Sequence, residues 1–399
     1  MALDTLTAVT ASLAVSFVLS EIFFRFKYPR AIGQIIAGML FGIPILKVLI
    51  SPNVIDDIGF LADVGIIFLL LLIGLEINLE KFRKAERDAV IISLFCAIVP
   101  FAFGFILMKA IGYSNIVALV VGAAFSLTAE GTTLKVLIDM KALNSKVGII
   151  ILGAGIIDDL FEVIFLSVVL VLAHKSISSL AVLPIKLIVF VIVVYLTYKI
   201  FPFFLKIVQK ERSRIALLSF IIIFGLTVAL VSKKLELGPI IGAFIAGIII
   251  HLSEHSKYEH RETIREIESM TFAFIIPFFF INIGLNFDVS SIAQNFWLTA
   301  IILLIATLGK LLGALIATPF TDLSLRQTHL IGWGMNSRGA IELVIAEVAR
   351  INNLIPIEVY SAIVIMAIVT TLLFPVVMKA ILSRDRGILK DEPALAKTS

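Results

Sequence analysis

The sequence predicts an all-α polytopic membrane protein of about 13 transmembrane helices arranged as inverted repeats, and three observations support this prediction. Of the 399 residues, 60% are hydrophobic and only 16% are charged, and the mean hydropathy of +1.10 lies far above that of a soluble domain. Apolar stretches of about 20 residues, the length that crosses a bilayer core, follow one another along the chain. Motifs of the first half also return in the second half. A soluble enzyme is therefore excluded, and no enzymatic activity is expected.

A hydropathy window of about 19 residues places the predicted spans one after another with short loops between them. The first span has no positive charge before it, its basic flank follows it, and no small-residue cleavage site closes it. We therefore expect a retained helix and not a signal peptide. The predicted spans, numbered 1 to 13, are 3–24, 29–48, 58–77, 88–110, 114–138, 147–173, 181–204, 213–232, 237–252, 268–286, 294–318, 326–349 and 357–381.

The positions of lysine and arginine indicate how the spans are oriented, because cytoplasmic loops hold the excess of these residues. With the N-terminus outside, 23 basic residues fall in inner loops and the tail, and 7 fall in outer positions. This asymmetry predicts a multi-pass protein of the cell membrane with its C-terminus in the cytoplasm. No contiguous basic tract is present, so the net charge of +4 does not indicate a nucleic-acid partner.

An internal repeat relates the two halves of the chain. The heptapeptide IGQIIAG at 32–38 returns as IGAFIAG at 241–247, an offset of 209, and IGL at 73–75 returns at 283–285, an offset of 210. Seven predicted spans separate equivalent points, so the halves have opposite orientations, which is a transporter architecture. We expect one transmembrane domain over 1–399, with a first inverted repeat (3–173), a linker helix (181–204), a second inverted repeat (213–383) and a short cytoplasmic tail (384–399).

Polar stretches interrupt two spans at equivalent positions. Span 5 carries SLTAEGTT at 126–133, and span 12 carries MNSRG at 335–339, so that Thr128 and Arg338 are 210 residues apart. Such stretches predict two locally unwound helices whose free carbonyls and helix ends can meet an ion. The alternative is that the hydroxyl groups bond back to their own helices. The residues assigned to the unwound centres are Ser126, Ala129, Asn336 and Ser337.

Ionisable side chains near mid-membrane are functional candidates, because each costs about 2.5–3.5 kcal/mol there. Asp158 and Asp159 lie at the centre of span 6, and Glu162 follows within reach of the same helix face. Lys310 is the lysine nearest the centre of a span. An Asp158–Lys310 ion pair is the simplest structural explanation, and it leaves Asp159 in need of a cation or a proton. One carboxylate that holds either a monovalent cation or a proton, combined with alternating access, makes an exchanger.

These residues resemble those of the monovalent cation:proton antiporter 2 family, in particular its NapA-type sodium/proton antiporters. The resemblance covers nearly the whole chain, and its most specific part is the aspartate pair with the lysine. It is carried by Pro29-x3-Gly33-Gln34-x2-Ala37-Gly38, Leu71-Leu72-Ile73-Gly74-Leu75-Glu76, Ser126-x-Thr128-Ala129, Asp158-Asp159, Lys310 and Arg338-Gly339.

The resemblance implies a sodium/proton antiporter fold with crossed unwound helices, and it implies roles for the site residues. Asp159 is the essential ion- and proton-binding carboxylate, Asp158 is the partner of Lys310, and Thr128 belongs to the helix crossing. A homodimer is implied, with spans 1–3 and 8–10 as a scaffold and spans 4–6 and 11–13 as a moving core. An Asp-Asp pair goes with electrogenic exchange, and no cofactor is implied.

The chain departs from the family pattern at two places. Glu130 stands where relatives usually have a small or neutral residue, and span 12 lacks the common proline before Arg338 and the acid after Gly339. Glu342, one turn later, is one candidate for the missing carboxylate, and pairing of Glu130 with Arg338 is the other.

The expected function is the exchange of Na⁺ or Li⁺ for H⁺, with Asp158 and Asp159 as ligands of the monovalent cation. A potassium/proton antiporter is the nearest alternative. A sodium-coupled organic-solute symporter is a second alternative that shares inverted repeats. The expected partners are these ions, the lipid bilayer and a second copy of the chain.

Overall fold

The computed structural model describes residues 4–43, 52–76, 86–173, 192, 194–205, 207–208, 214–235, 239–253 and 259–389. Regular structure in these ranges is helical, and they contain no strand. Parts of several expected features lie outside the described residues, chiefly 44–48 of span 2, most of 181–193 of the linker helix and 390–399 of the tail, together with terminal residues of spans 1, 3, 8 and 9.

The helices are labelled in chain order. The first half contains α1 (Thr5–Arg25), α2 (Arg30–Gly42), α3 (Pro52–Glu76), α4 (Arg87–Ile111), α5 (Asn115–Ser126), α6 (Glu130–Asp139) and α7 (Lys146–Ala173). A short apolar helix, α8 (Val194–Leu205), follows. The second half contains α9 (Arg214–Lys234), α10 (Pro239–Ser253), α11 (Glu259–Phe274), α12 (Ile276–Leu285), α13 (Val289–Gln294), α14 (Phe296–Ala317), α15 (Leu325–Gly334), α16 (Ala340–Ile351) and α17 (Ile357–Arg384). Two 3₁₀ helices, Thr318–Phe320 and Arg386–Leu389, complete the described chain.

Many of these helices have the length and composition of membrane spans. Seven spans in the described ranges meet both criteria, and α2, α5, α8 and α10 are shorter apolar helices. Helix α7 is long enough, at 28 residues, but it carries Asp158, Asp159 and Glu162 in its middle. The all-helical, polytopic architecture predicted from the composition is therefore confirmed.

Predicted spans 5 and 12 are each two helices. Helix α5 ends at Ser126 and α6 begins at Glu130, while α15 ends at Gly334 and α16 begins at Ala340. Both breaks fall in the polar stretches that interrupt the apolar runs. The interruptions are therefore real breaks in the helices, as the sequence predicts.

Two predicted spans begin too late. The sequence predicts span 3 from 58, but α3 begins at Pro52, and it predicts span 10 from 268, but α11 begins at Glu259. Charged residues such as Asp57 and Glu268 lower the local hydropathy and so end the apolar window. They do not end a helix, because the backbone hydrogen bonds continue through charged positions. Proline suits the first position of α3, because the backbone nitrogen of a first helical residue has no hydrogen-bond acceptor within the helix.

The chain divides into two compact units. The first unit comprises Met1–Ser20, Gly33–Ile77 and Leu170–Asn286, and the second comprises Glu21–Ile32, Asn78–Val169 and Phe287–Ser399. The second unit holds the helices of predicted spans 4–6 and 11–13, the group to which the family resemblance assigns the core.

Glycines of the repeated motifs mark the closest helix contacts in the first unit. A Cβ atom on Gly38 would collide with the carbonyl of Ile281 and lie 2.9 Å from Gly284 Cα. A Cβ atom on Gly247 would lie 2.8 Å from Gly74 Cα. Only glycine permits backbones to approach this closely, and small residues at such positions are typical of helix contacts in membranes.

These two contacts are equivalent under the repeat. Gly38 and Gly247 are 209 residues apart, and Gly74 and Gly284 are 210 apart. The contact of α2 with α12 therefore has its counterpart in the contact of α10 with α3. Each half of the chain supplies one glycine to each contact. The two contacts are therefore copies of the same interaction, related by the internal repeat.

The second unit shows the same correspondence. A Cβ atom on Gly104 of α4 would lie 2.9 Å from Gly122 Cα of α5, and one on Gly332 of α15 would lie 3.2 Å from Ala314 Cβ of α14. The residues of these two contacts are also 210 positions apart. Helix α14 in turn packs on α4 near Pro100, which a Cβ atom on Gly309 would approach to 2.9 Å. This close packing brings the residue after Gly309, Lys310, into the interior of the unit.

Candidate functional site

The two helix breaks of the second unit contact each other directly. The amide of Ala129 donates to the carbonyl of Ser337 at 3.0 Å, and the Ser337 hydroxyl donates to the carbonyl of Ala129 at 2.7 Å. Leu127 and Ala129 have extended backbones. At this contact, polar groups of the two breaks therefore satisfy one another, as buried backbone within a membrane requires.

Hydroxyl and amide groups cap the C-terminal end of α15. Thr133 Oγ1 lies within hydrogen-bonding distance of the carbonyl of Gly334, at 2.9 Å, and of Ser337 Oγ, at 2.7 Å, and has one hydrogen to donate. Asn336 Nδ2 donates to the carbonyl of Gly332 at 3.0 Å. The last carbonyls of a helix have no partner within it, and here neutral side chains fill that need.

Two cations cap the C-terminal end of α5 instead. Arg338 Nη1 donates to the carbonyls of Ala124 at 2.9 Å and Leu127 at 2.8 Å. Lys310 Nζ donates to the carbonyl of Ser126. Positive charge suits this position, because the C-terminal end of a helix carries a partial negative charge. The two breaks are thus related by the repeat but differ in charge.

Lys310 and Asp158 form a buried ion pair beside these caps. Lys310 Nζ lies 3.3 Å from Asp158 Oδ2, and the two side chains are 0% and 1% exposed. The ammonium group also donates to Thr128 Oγ1 at 2.7 Å. The structure therefore brings Asp158, Lys310 and Thr128, three of the residues singled out by the sequence, into one hydrogen-bonded cluster.

Asp158 has two further hydrogen-bond donors. Thr128 Oγ1 donates to Asp158 Oδ2 at 2.6 Å, and Ser93 Oγ donates to Asp158 Oδ1 at 2.6 Å. Cys96, one turn after Ser93 on α4, donates from its thiol to the carbonyl of Lys310 at 3.7 Å. Helix α4 therefore supplies polar contacts to both members of the ion pair.

Ser93 is a site residue that the sequence interpretation missed. It is a single serine in a long apolar run, and a hydroxyl in that setting commonly bonds back to its own helix. Its role depends on the packing of α4 against α7, and the hydropathy pattern does not reveal that packing.

Asp159 and Glu162 lie on α7 with Asp158. Asp159 is half-buried, and Glu162 is 5% exposed. The sequence prediction that Asp159 is the primary ligand for the exchanged ions stays a prediction, as does a role for Glu162 as a charge partner.

Arg338 contacts Glu342, one of its two candidate partners. Arg338 Nε lies 3.7 Å from Glu342 Oε2, and both side chains are fully buried. Glu130 is the first residue of α6, but its side chain lies outside the described part of the structure. The structure thus places Glu342 against Arg338, and the pairing of Glu130 with Arg338 stays a prediction.

A small cavity lies beside the crossing of the two breaks. Its volume is about 10 Å³, close to the ~10–15 Å³ that one water molecule needs. Gly155 stands one helical turn before Asp158 and Asp159, so the cavity lies one turn from the aspartate pair. The residues that line it are Thr128, Thr133, Ile151, Leu152, Gly155 and Met335.

Comparison with solved structures shows the fold. The chain is similar to the sodium proton antiporter MjNhaP1 from Methanocaldococcus jannaschii, with a TM-score of 0.67 and 15% identity over 96% of this chain and 97% of that one. At this identity the likeness concerns the arrangement of helices alone.

Comparison with protein sequences shows the family. The model of the family described as "Sodium/hydrogen exchanger, transmembrane" matches residues 10–384. A Na⁺/H⁺ antiporter from Enterococcus hirae is 31% identical over 90% of this chain and 93% of its own length. The Na⁺/H⁺-K⁺ antiporter GerN from Bacillus cereus is 27% identical over 89% of this chain and 90% of its own length. The family match spans nearly every described helix and includes the buried charges of the site. This polytopic membrane protein therefore belongs to the transmembrane sodium/hydrogen exchanger family.

Proposed function

We propose that this protein exchanges Na⁺ for H⁺ across a membrane by alternating access. The observation that carries the proposal is the buried Asp158–Lys310 pair at the crossing of two broken helices. Buried ionisable groups in a membrane protein are costly and mark ion pathways. Relatives over nearly the whole chain bear the name Na⁺/H⁺ antiporter, which supports the same activity here.

Competition between a cation and a proton for the same carboxylate group would couple the two ions. We assign this group to Asp159, with Asp158 and Thr128 beside it as further ligands. A hard monovalent cation prefers carboxylate, hydroxyl and carbonyl oxygens, and Thr128 and Met335 line the cavity next to α7. Since a proton and a cation cannot occupy one carboxylate together, each must leave before the other binds.

The exchange is proposed to be electrogenic and to accept Li⁺ as well as Na⁺. Asp158, Asp159 and Lys310 together offer more than one site for a proton. A cluster of this kind supports the release of more than one proton for each cation that binds. Each net charge moved would be worth about 2.3 kcal/mol per 100 mV of membrane potential.

Potassium/proton exchange is a second candidate function. The relative GerN, named a Na⁺/H⁺-K⁺ antiporter, is 27% identical over 356 residues. Glu130 and Glu342 depart from the usual pattern beside the crossing, and additional carboxylates there would alter cation preference. Running K⁺ against Na⁺ in one assay separates the two candidates.

We further propose a multi-pass protein of the cell membrane, a transporter and not an enzyme, that works as a homodimer. The distribution of lysine and arginine along the sequence supports an N-terminus outside and a C-terminus in the cytoplasm. The second compact unit, which carries the site, is the proposed moving body.

The experiment that tests the proposal uses protein reconstituted in liposomes with a pH-sensitive dye. We expect wild-type protein to give Na⁺-dependent dequenching and Asp159→Asn to give none, because the amide can bind neither a proton nor a cation by charge. Asp322→Asn is the matched control, since Asp322 is exposed in the turn before α15. Wild-type rates of dequenching by Asp159→Asn protein would overturn the assignment.

A further inference from the structure

The backbone of Arg338 is held by a threonine of α17. Arg338 lies in the second break, between the end of α15 and the start of α16, so its amide and carbonyl stand outside the regular hydrogen bonding of both helices. The amide donates to Thr371 Oγ1 at 3.2 Å, and Thr371 Oγ1 donates to the carbonyl at 3.2 Å. Thr371 is 3% exposed. Its hydroxyl, which can donate once and accept, therefore satisfies two buried backbone groups that would be costly without partners.

The neighbouring threonine shows the more common behaviour of this residue type. A threonine within a helix often bonds back to a carbonyl of the preceding turn. Thr370 does so, because its hydroxyl donates to the carbonyls of Met366 and Ala367 on α17. Thr371 is the next residue, yet its two side-chain hydrogen bonds within the described ranges both go to Arg338. The hydroxyl of Thr371 is therefore used for a contact between elements and not within its own helix.

The internal repeat offers no equivalent of this contact at the first break. The position 210 residues before Thr371 is Phe161 on α7, and a phenylalanine side chain has neither a donor nor an acceptor group. Thr128 occupies the position equivalent to Arg338. A hydroxyl bond from the long helix to the break is therefore available in the second half of the chain and not from the equivalent position in the first.

The side chain of Arg338 connects this contact with the first break. Its guanidinium group donates to the carbonyls of Ala124 at 2.9 Å and Leu127 at 2.8 Å. A shift of the Arg338 backbone by about 0.5 Å along either bond would take that bond beyond the usual range. Leu127 directly precedes Thr128, whose hydroxyl lies 2.6 Å from Asp158 Oδ2. The placement of Arg338 therefore bears on the geometry of the proposed cation site.

Other contacts also restrain the second break, and they show what Thr371 adds. Asn336 Nδ2 donates to the carbonyl of Thr307 on α14 at 3.4 Å, and Ser337 bonds to the first break. The bond to Thr307 is longer than either bond of Thr371, and it acts two residues before Arg338. Among the described residues, Thr371 is the side chain that hydrogen-bonds to the backbone of Arg338 itself.

We propose that Thr371 is a positioning residue for cation binding. It fixes the backbone of Arg338, and the Arg338 side chain then holds the end of α5 so that Thr128 lies beside Asp158. This inference rests on the proposed function. Loss of the Thr371 hydroxyl should therefore weaken the binding of Na⁺ more than it lowers the maximal rate of exchange.

The test compares Thr371→Val with Thr371→Ser in liposomes that contain a pH-sensitive dye, over a series of Na⁺ concentrations at one pH. Valine has the shape of threonine without its hydroxyl group, whereas serine keeps the hydroxyl. We expect Thr371→Val to raise the apparent KM for Na⁺ about tenfold, the effect of losing about one hydrogen bond that orders the site. The maximal rate should change by less than about twofold, and Thr371→Ser should restore the wild-type KM.

Thr370→Val is the matched control for loss of a buried hydroxyl. Thr370 is 2% exposed and lies next to Thr371, but its bonds stay within α17. We expect the wild-type KM from this variant. If Thr371→Val does not fold, Thr371→Cys takes its place, because a thiol is a weaker hydrogen-bonding group. It should raise the KM for Na⁺ in the same direction.

A second measurement follows binding without transport. Added Na⁺ should raise the thermal unfolding midpoint of the protein in detergent, because a ligand that binds the native state stabilises it. Thr371→Val should need about tenfold more Na⁺ than the wild type for the same rise. Thr370→Val and Thr371→Ser should follow the wild-type curve.

The proposal is overturned by an unchanged KM for Na⁺ in Thr371→Val, including the case in which only its unfolding midpoint without Na⁺ falls. It is also overturned if Thr371→Ser shares the defect of Thr371→Val, or if Thr370→Val raises the KM equally. Absence of Na⁺-dependent exchange in wild-type protein would instead contradict the proposed function itself.

Discussion

Lys310 is the cation that joins the elements of the site. Its ammonium group donates to the carbonyl at the end of α5, to the Thr128 hydroxyl and to the Asp158 carboxylate. Burying an ammonium group is costly unless all its hydrogens are used, and here all three are. The same three contacts make the lysine difficult to replace.

Replacing Lys310 with glutamine should destabilise the protein. Removing one partner of a buried ion pair typically costs about 3–5 kcal/mol, because the other charge stays buried without compensation. The measurement is the thermal unfolding midpoint in detergent, with Lys109→Gln as the control. Lys109 is exposed near the end of α4, and such surface changes stay within about 0.5 kcal/mol. Equal midpoints for the two variants would show that the ion pair contributes no stability.

The chemistry of the site could be predicted from the sequence only in part. Asp158 and Lys310 stood out because charges in apolar spans are rare. Ser93 did not, because a serine is common in such helices and its importance depends on which helix it faces. The contact of Glu342 with Arg338 likewise needed coordinates, since Glu130 and Glu342 both lie near the helix breaks in the sequence.

Helix breaks were easier to predict than helix ends. The breaks at 127–129 and 335–339 lie within polar, glycine-containing stretches. These stretches are visible in the sequence and are repeated at the same offset. The N-terminal ends of α3 and α11 were missed because hydropathy reports the apolar part of a helix and not its full length. The different caps on the two breaks, cations on α5 and hydroxyls on α15, follow from tertiary contacts alone.

Helix packing in the first unit should be intolerant of a methyl group at the repeated glycines. A Cβ atom on Gly247 would collide with the carbonyl of Leu71 and approach Gly74 Cα to 2.8 Å. Overpacking of this kind costs about 1–3 kcal/mol, so Gly247→Ala should lower the thermal unfolding midpoint.

Gly59 on α3 is the matched control for this substitution. Nothing lies within 4 Å of a Cβ atom placed there, and alanine in a helix interior is favoured over glycine by roughly 0.5–1 kcal/mol. Gly59→Ala should therefore leave the midpoint unchanged or raise it slightly. If both alanine variants behave alike, close backbone approach at Gly247 is not a determinant of stability.

Charge movement is a property of the complete transport cycle. If more than one proton moves for each Na⁺, wild-type protein on a solid-supported membrane should give transient currents when Na⁺ is added. Asp158→Asn removes one protonation site and should abolish these currents while dye-detected exchange in the same preparation persists. Asp322→Asn should keep both signals. Wild-type currents from Asp158→Asn protein would contradict an electrogenic role for the Asp158–Lys310 pair.

The reciprocal glycine contacts also order the events of biosynthesis. Gly74 is synthesised 173 residues before Gly247, and Gly38 is synthesised 246 residues before Gly284. At about 5–20 residues per second, α3 waits roughly 10–35 s in the membrane before the helix that covers its glycine is made. During that interval, the small-residue faces of α2 and α3 are open to lipid or to another nascent chain. Neither half can complete its own packing, so the first unit closes only after translation has passed Gly284.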